Sequence, residues 1–451
     1  MGEVVLRILL PAIIWSVSAT EMNTDSCFCK LKGEIDDCSC KVENVDSFNN
    51  VKIFPLISSL LEYDYFRYYK VNIFRSCPFG TNSDGKCGSK SCAVDKCKDE
   101  HIPPGLKKNH SQNKYSREAQ KEHKCDDENE LGVIDAHISQ KSKDAFQTWK
   151  KYDDLVDNFC EPEDEHSEDA VYYDLVRNPE RFTGYMGPSA VNVWQLIYDQ
   201  NCFKPDNEEN SAYLPRKQVV VVAELCLEKR VFYRMISGFH TSINVDVTAN
   251  WLKPATSSWG QPSWGPNVEE FKKRFDPKLT WGEGPQRLKN LYFLYLVELR
   301  ALSKVAPFLE QEEFYTGKDQ DDKEVKKAVH ELLKMCKSFP EHFDESKLFQ
   351  EDKKQLEEFK VHFRNISRIM DCVGCDKCRM WGKIQIRGLG TALKILFSGD
   401  SMRPDSTITQ NHKKGILPFQ LQRGEIVALL NSFGRLSKSI HELEVFRKLM
   451  A

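Results

Sequence analysis

The sequence predicts a mainly helical single domain carrying long irregular, disulfide-bonded loops, and three observations support that class. Apolar residues recur three and four apart over most of the chain, the period of a helix with one buried face. Strand-like alternation is scarce, Val219 to Val222 being the one β-branched run. A length of 451 residues would allow two or three domains, yet no internal repeat divides it and it is ample for one core.

Met1 to Ala19 has Arg7 near its start, an apolar run from Ile8 to Trp15 and the small-residue ending Val17-Ser18-Ala19. That is the pattern of a secretory signal peptide, so residues 20–451 are expected to be lumenal or secreted. No later run is apolar and long enough to span a bilayer. Sixteen cysteines in such a compartment are expected to be bridged in the main. Asn109-His-Ser and Asn365-Ile-Ser are glycosylation acceptors that belong to the same compartment. Basic and acidic residues number 64 and 67, a balance that argues against nucleic acid as a partner.

Taken in order, Cys27-Phe-Cys29 and Cys38-Ser-Cys40 bracket a short polar turn and read as a structural clip, with zinc as the minor alternative. From Val45 to Tyr69 the pattern is helical, with Phe48, Val51, Phe54, Ile57, Leu60 and Leu61 followed by an aromatic cluster expected in the core. Residues from about 78 to 125 are rich in glycine, lysine, aspartate and serine and read as a long mobile loop. Within it Cys87, Cys92 and Cys97 stand evenly spaced, with Cys125 beyond. Cys92 can reach either neighbour with a similar loop, so fixed staples and interchangeable bridges both remain open. An acidic run from Glu161 to Asp169 reads as a solvated linker. Pro188 opens a helix with Val191, Trp194, Ile197 and Tyr198 on one face, ending at Cys202. Ala223 to Asn244 is a second, with Cys226 near its start and Ser237 and His240 sharing a face. The helix opened by Gly284-Pro285 is apolar nearly all round and should be central. Further helical signals run over 323–337, 355–370, 375–397 and 424–450.

Motifs exclude several enzyme classes. There is no GxSxG nucleophile turn, no HExxH zinc helix and no phosphate-binding GxxxxGK loop, and Gly388-Leu-Gly390 reads as a helix bend. Cys372-Val-Gly-Cys375-Asp-Lys-Cys378 is the stretch with chemistry in it. Zinc or an iron–sulfur cluster would need a fourth ligand, whereas a CxxC disulfide needs nothing more. Lys377, Arg379 and a helix start favour thiolate at Cys375 and Cys378, leaving Cys372 as the candidate for a long-range structural bridge. A dithiol that oxidises others must itself be re-oxidised, which implies a cofactor. Basic and aromatic residues around Arg181, Trp194, His240 and Arg287 suit a flat, anionic, conjugated ligand. A disulfide-rich lumenal binding or chaperone protein, whose CxxC is only a staple, is the alternative from another class.

Several longer motifs identify a family resemblance. Cys-Val-Gly-Cys-x-Lys-Cys-Arg, Asn-Pro-Glu-Arg-Phe-Thr-Gly-Tyr, Ile-Ser-Gly-Phe-His-Thr-Ser-Ile-Asn, Gly-Pro-Gln-Arg-Leu-Lys-Asn-Leu-Tyr-Phe and Asp64-Tyr-Phe-Arg-Tyr-Tyr-Lys resemble the endoplasmic reticulum oxidoreductin family, from Cys27 almost to the C-terminus. The resemblance implies a lumenal enzyme with FAD held in a helix-bundle core. It would oxidise protein disulfide isomerase and related thioredoxin-fold proteins and pass electrons to molecular oxygen, yielding hydrogen peroxide. Peripheral association with the lumenal face of the membrane is also expected. By the resemblance, Cys375 and Cys378 are the inner redox pair, with Cys378 next to the flavin. Cys87 and Cys92 are the shuttle pair. Cys97 and Cys125 are regulatory, locking the shuttle by pairing with Cys92 and Cys87. FAD contacts fall on Arg181, Thr183, Trp194, Ser237, His240, Arg274 and Arg287. Structural bridges are implied for Cys27–Cys40, Cys29–Cys38, Cys77–Cys372 and Cys202–Cys226. Cys160 and Cys336 are left without a partner, and with no Lys-Asp-Glu-Leu ending, retention is expected to come from partners.

Overall fold

Helical periodicity becomes helix over most of what the computed structural model describes, namely residues 28–35, 39–77, 92–107, 159, 169–180, 188–200, 227–253, 263–348, 353–397 and 421–451. A short antiparallel hairpin, β1 (Glu34–Ile35) and β2 (Cys40–Lys41), leads into α1 (Val42–Phe48) and α2 (Phe54–Leu60). After α3 (Asp64–Arg67), strand β3 (Tyr68–Val71) pairs antiparallel with β4 (Val171–Asp174), and α4 (Pro104–Lys107) lies between them in sequence. Helices α5 (Pro188–Asp199) and α6 (Leu227–Ala249) follow, then the hairpin β5 (Trp251–Lys253) and β6 (Ser263–Gly265). The rest is helical: α7 (Val268–Phe275), α8 (Glu283–Leu309), α9 (Asp319–Lys337), α10 (Lys353–Ile369), α11 (Asp376–Phe397) and α12 (Arg423–Met450).

The helix that is apolar all round is central, as its composition requires. Leu291, Tyr292, Phe293, Leu294, Tyr295, Leu296 and Val297 of α8 are all buried, so consecutive residues face protein on every side. Each such side chain contributes about 1.5–3 kcal/mol relative to exposure. Helices α6, α11 and α12 pack round α8. Two crossings need glycine. A Cβ at Gly238 would lie 2.3 Å from the Asn290 carbonyl oxygen, and one at Gly388 would lie 2.4 Å from both the Ala428 oxygen and the Ser432 Cβ. Gly388 therefore lets α11 approach α12 inside an unbroken helix, rather than making the bend expected of it. Beside that crossing Glu298 is fully buried, with the Ser432 hydroxyl donating to it at 2.6 Å, and burial raises its pKa to about 8.

Some faces differ from expectation. Between α1 and α2 lies a π turn, Asn49–Ile53, in which the Phe54 N–H donates to the Asn49 carbonyl. Pro55 has no N–H to continue the α ladder, and the wider turn absorbs that loss. Ile53 and Ile57 are buried there while Val51 is 71% exposed. In α5 the buried residues are Ala190, Val193 and Ile197, with Val191 facing solvent. Tyr68 and Tyr69 leave the helical segment for β3, where their partners Asp174 and Tyr173 are about a hundred residues away in sequence and invisible to local pattern. The β-branched run Val219 to Val222 lies outside the described residues. No helix among the described residues is long and apolar enough to cross a membrane.

Candidate active site

Helix α11 begins at Asp376, so Cys375 stands at its N-cap and Cys378 one turn in. The chain reaches that start through Cys372, which is joined to Cys77 by a disulfide with Cα atoms 4.6 Å apart. Cys375 and Cys378 are a buried dithiol pair, unbridged and in contact through their sulfur atoms. The Cys375 pKa is lowered from 9.0, first by the hydrogen bond from the Cys378 thiol. Burial opposes that shift, and main-chain N–H groups of Cys378 and Lys377 add to it. These are the unpaired donors of a helix N-terminus, here satisfied by sulfur.

The expected part of Arg379 is corrected. Its guanidinium is spent on carbonyls, with Nε donating to Val373 at 2.8 Å and Nη1 to Ile73 at 2.7 Å. It fastens the cysteine turn to the strand exit before Cys77 and is not among the causes that shift Cys375. Behind the turn Asp371 is 2% exposed, forms an ion pair with Lys383 at 2.6 Å and accepts from Arg368 Nη1 at 2.7 Å, tying α10 to α11.

Cys378 opens on a cleft of about 410 Å³, counting its mouth to solvent, between α5, α6 and the turn. Val193, Trp194, Phe239, Ile243, Met370 and Val373 line it. At its α5–α6 wall Trp194 stacks on His240, with ring centres 3.7 Å apart at 15°. Tyr198 Oη lies 3.0 Å from His240 Nδ1. Burial, and then the Arg287 and Arg274 charges, lower the His240 pKa to about 3, so the ring is neutral. Ser237 and His240 share a face but do not pair with each other. Ser237 Oγ accepts from Asn290 Nδ2 at 2.9 Å, and Arg274 Nη1 donates to Asn244 Oδ1 at 2.5 Å. Arg274 Nε is buried without a hydrogen-bond partner among the described residues, and Arg287 pairs with Glu283. Trp194, Ser237, His240, Arg274 and Arg287 are thus brought together, while Arg181 and Thr183 lie outside the described residues.

A family model described as Endoplasmic Reticulum Oxidoreductin 1 matches residues 52–443. The chain belongs to this family. ERO1-like protein alpha of Homo sapiens is 49% identical over 453 residues, covering 95% of this chain and 93% of that protein. The Drosophila melanogaster Ero1-like protein is 45% identical over 449 residues, covering 96% and 92%. A solved structure of Ero1p, the source of disulfide bonds for oxidative protein folding in the cell, superposes with TM-score 0.60 at 28% identity, covering 90% of this chain and 97% of that one. The oxidoreductins are oxidoreductases with a part in oxidative protein folding.

In this oxidoreductin the part of the expected cysteine loop that the structure describes, 92–107, runs along β4. Lys96 bridges to Tyr173, the Cys97 N–H donates to the Tyr172 carbonyl at 3.0 Å, and Gly105 N–H donates to Thr316 at 2.8 Å. Cys92 is buried and disulfide-bonded. Cys97 carries a thiol, so it is not bonded to Cys92 in this arrangement. Burial and the neighbouring Asp174 carboxylate push that thiol up to about 11. Cys336 is a buried thiol in α9, pushed up to about 12 by burial and hence unreactive. Cys29 and Cys40 are fully buried. Cys27, Cys38, Cys87, Cys125, Cys160, Cys202, Cys226 and Asn109 lie outside the described residues.

One acceptor is corrected. Asn365 is 4% exposed in α10 and its Nδ2 donates to Gln200 Oε1 at 2.8 Å, so the amide that a glycan needs is internal. Sequence reasoning also missed polar residues that hold the elements around the site together. Asn178, Asn244 and Asn290 sit inside three of the five family-like motifs, but nothing in their spacing shows what they bond.

Proposed function

We propose that the chain is an FAD-dependent thiol oxidase of the endoplasmic reticulum lumen that oxidises protein disulfide isomerase and related thioredoxin-fold proteins. The observation that carries the reading is that Cys378 and Trp194 line one apolar cleft, with Trp194 stacked on a His240 ring that feels the charges of Arg287 and Arg274. The residues fit the cofactor: a buried guanidinium nitrogen of Arg274 has no hydrogen-bond partner among the described residues and is available to an anion, and the cleft beside Trp194 is lined mainly by apolar side chains. Trp194, His240, Arg274 and Arg287, with Arg181 and Thr183, would hold it. FAD bound there supplies a two-electron acceptor that can deliver electrons to oxygen, giving hydrogen peroxide.

The protein's own cysteines move the electrons to that point. A substrate thiolate attacks the Cys87–Cys92 disulfide, forms a mixed disulfide, and leaves oxidised when its second thiol displaces Cys87 or Cys92. The reduced pair then attacks the disulfide form of Cys375–Cys378, each exchange passing two electrons and two protons with no outside reagent. Cys375, at the helix N-cap, is the sulfur best stabilised as thiolate, so it is the leaving and attacking group toward the shuttle. Cys378 stays on the cleft side. Neutral His240 leaves the negative charge of a ligand to the arginines. Protein disulfide isomerase sits near −180 mV, so oxygen, reached through a flavin, makes the overall transfer favourable.

Purified protein should be yellow, and reduced protein disulfide isomerase should drive oxygen uptake that Cys378→Ala abolishes. A colourless folded protein, or a Cys378→Ala variant with full uptake, refutes the oxidase and favours a lumenal binding protein with a structural CxxC.

A further inference from the structure

Asn178 is fully buried and every polar atom it has is used, yet none of its bonds serves the chemistry described above. Its N–H and Nδ2 both donate to the Asp174 carbonyl, at 2.9 and 3.0 Å, closing the turn that follows β4. The rest of the side chain reaches 83 residues back in sequence. Oδ1 accepts the Asp95 N–H at 2.7 Å and Nδ2 donates to the Asp95 carbonyl at 2.9 Å, a two-point bracket on the residue between Cys92 and Cys97. The Asn178 carbonyl in turn accepts the Trp381 indole N–H at 2.8 Å, one turn beyond Cys378 in α11. Two residues on, Glu180 accepts from Gln385 of α11 at 3.1 Å and pairs with Arg435 of α12.

We infer that Asn178 is a positioning residue that fastens the cysteine segment 92–97 to the helix bearing Cys375 and Cys378, and in doing so keeps Cys97 out of exchange with Cys92. The inference rests on the oxidase reading only for the role of those cysteines. While the bracket holds, Cys97 stays at the β4 edge, its N–H on Tyr172 and its sulfur beside Asp174. Release allows the Cys97 thiolate to attack Cys92 Sγ. A Cys92–Cys97 bond forms, the bond between Cys92 and its present partner breaks, and that partner leaves as a thiolate that takes up the proton Cys97 gave. No oxidant is consumed. The bracket thus sets how often the arm can change partner. Raised pKa supports the same picture, since a thiol held near 11 attacks rarely.

The test is timed alkylation of the full flavin-loaded chain, with mass spectrometry following Cys97 and, as an internal reference, buried Cys336. Asn178→Ala removes two hydrogen bonds to the arm and should speed Cys97 labelling about tenfold, with Cys336 unchanged. Asp95→Pro, at an exposed position, removes the bracketed N–H without touching Asn178 and should act in the same direction even if Asn178→Ala fails to fold. In glutathione buffer both variants should gather the Cys92–Cys97 peptide faster than the parent. Unchanged Cys97 labelling overturns the inference, and so does Cys336 labelling that accelerates in parallel, which would mean general loosening. The labelling needs no turnover, so its failure is separate from failure of the oxidase reading, which would show as absent oxygen uptake by the parent.

Discussion

Glu298→Gln tests the electrostatics of the helical core directly. Glu298 lies in the middle of α8, fully buried, with Ser432 donating to Oε1 at 2.6 Å and Oε2 without a hydrogen-bond partner among the described residues. Burial raises its pKa from 4.5 to about 8. The folded state therefore keeps a proton that the unfolded chain loses, so the contribution to stability is full below about 4.5 and is lost as pH rises toward about 8. At about 1.4 kcal/mol per decade, that interval amounts to roughly 5 kcal/mol. Glutamine keeps the shape and the acceptor for Ser432 but cannot ionise. Urea unfolding followed by tryptophan fluorescence from pH 5 to 8.5 should show the parent losing several kcal/mol relative to the variant. The two should be close at pH 5, and the variant should be the more stable at pH 8.5. Parallel pH profiles would refute the claim that a protonated carboxyl is held in this core.

Gly388→Ala should destabilise by about 1–3 kcal/mol, seen as a lower unfolding midpoint, because the methyl meets a backbone oxygen that cannot yield without parting α11 from α12; an unchanged midpoint would count against the close crossing. Thiolate absorbance, taken as the difference between the parent and Cys375→Ala, should titrate below 9.0 and move upward in Cys378→Ala, since the Cys378 thiol is the first cause of the lowering. A midpoint at or above 9.0 in the parent would exclude Cys375 as the stabilised thiolate. If Cys97 and Cys125 lock the shuttle, Cys97→Ala combined with Cys125→Ala should raise oxygen uptake with reduced protein disulfide isomerase, and equal or lower uptake in the folded, flavin-loaded double variant removes their regulatory role.

What the sequence determined by itself is what lies close along the chain. The all-round apolar run made α8 central, and the cysteines at 375 and 378 fell at a helix start, because periodicity and capping are local properties. The motifs around Asn178, His240 and Arg287 were legible as a family resemblance, although the partners of the residues inside them were not. Tertiary structure alone decided the contacts between distant segments. It turned Val51 outward, buried Asn365 against Gln200, spent Arg379 on Ile73 and Val373, and let Asn178 grip Asp95 while holding Trp381. A polar side chain has the same local signature whether it ends in solvent or on a carbonyl 83 residues away. Which of the two it meets is settled by how the helices pack, since a buried polar group must find a partner wherever packing has brought one.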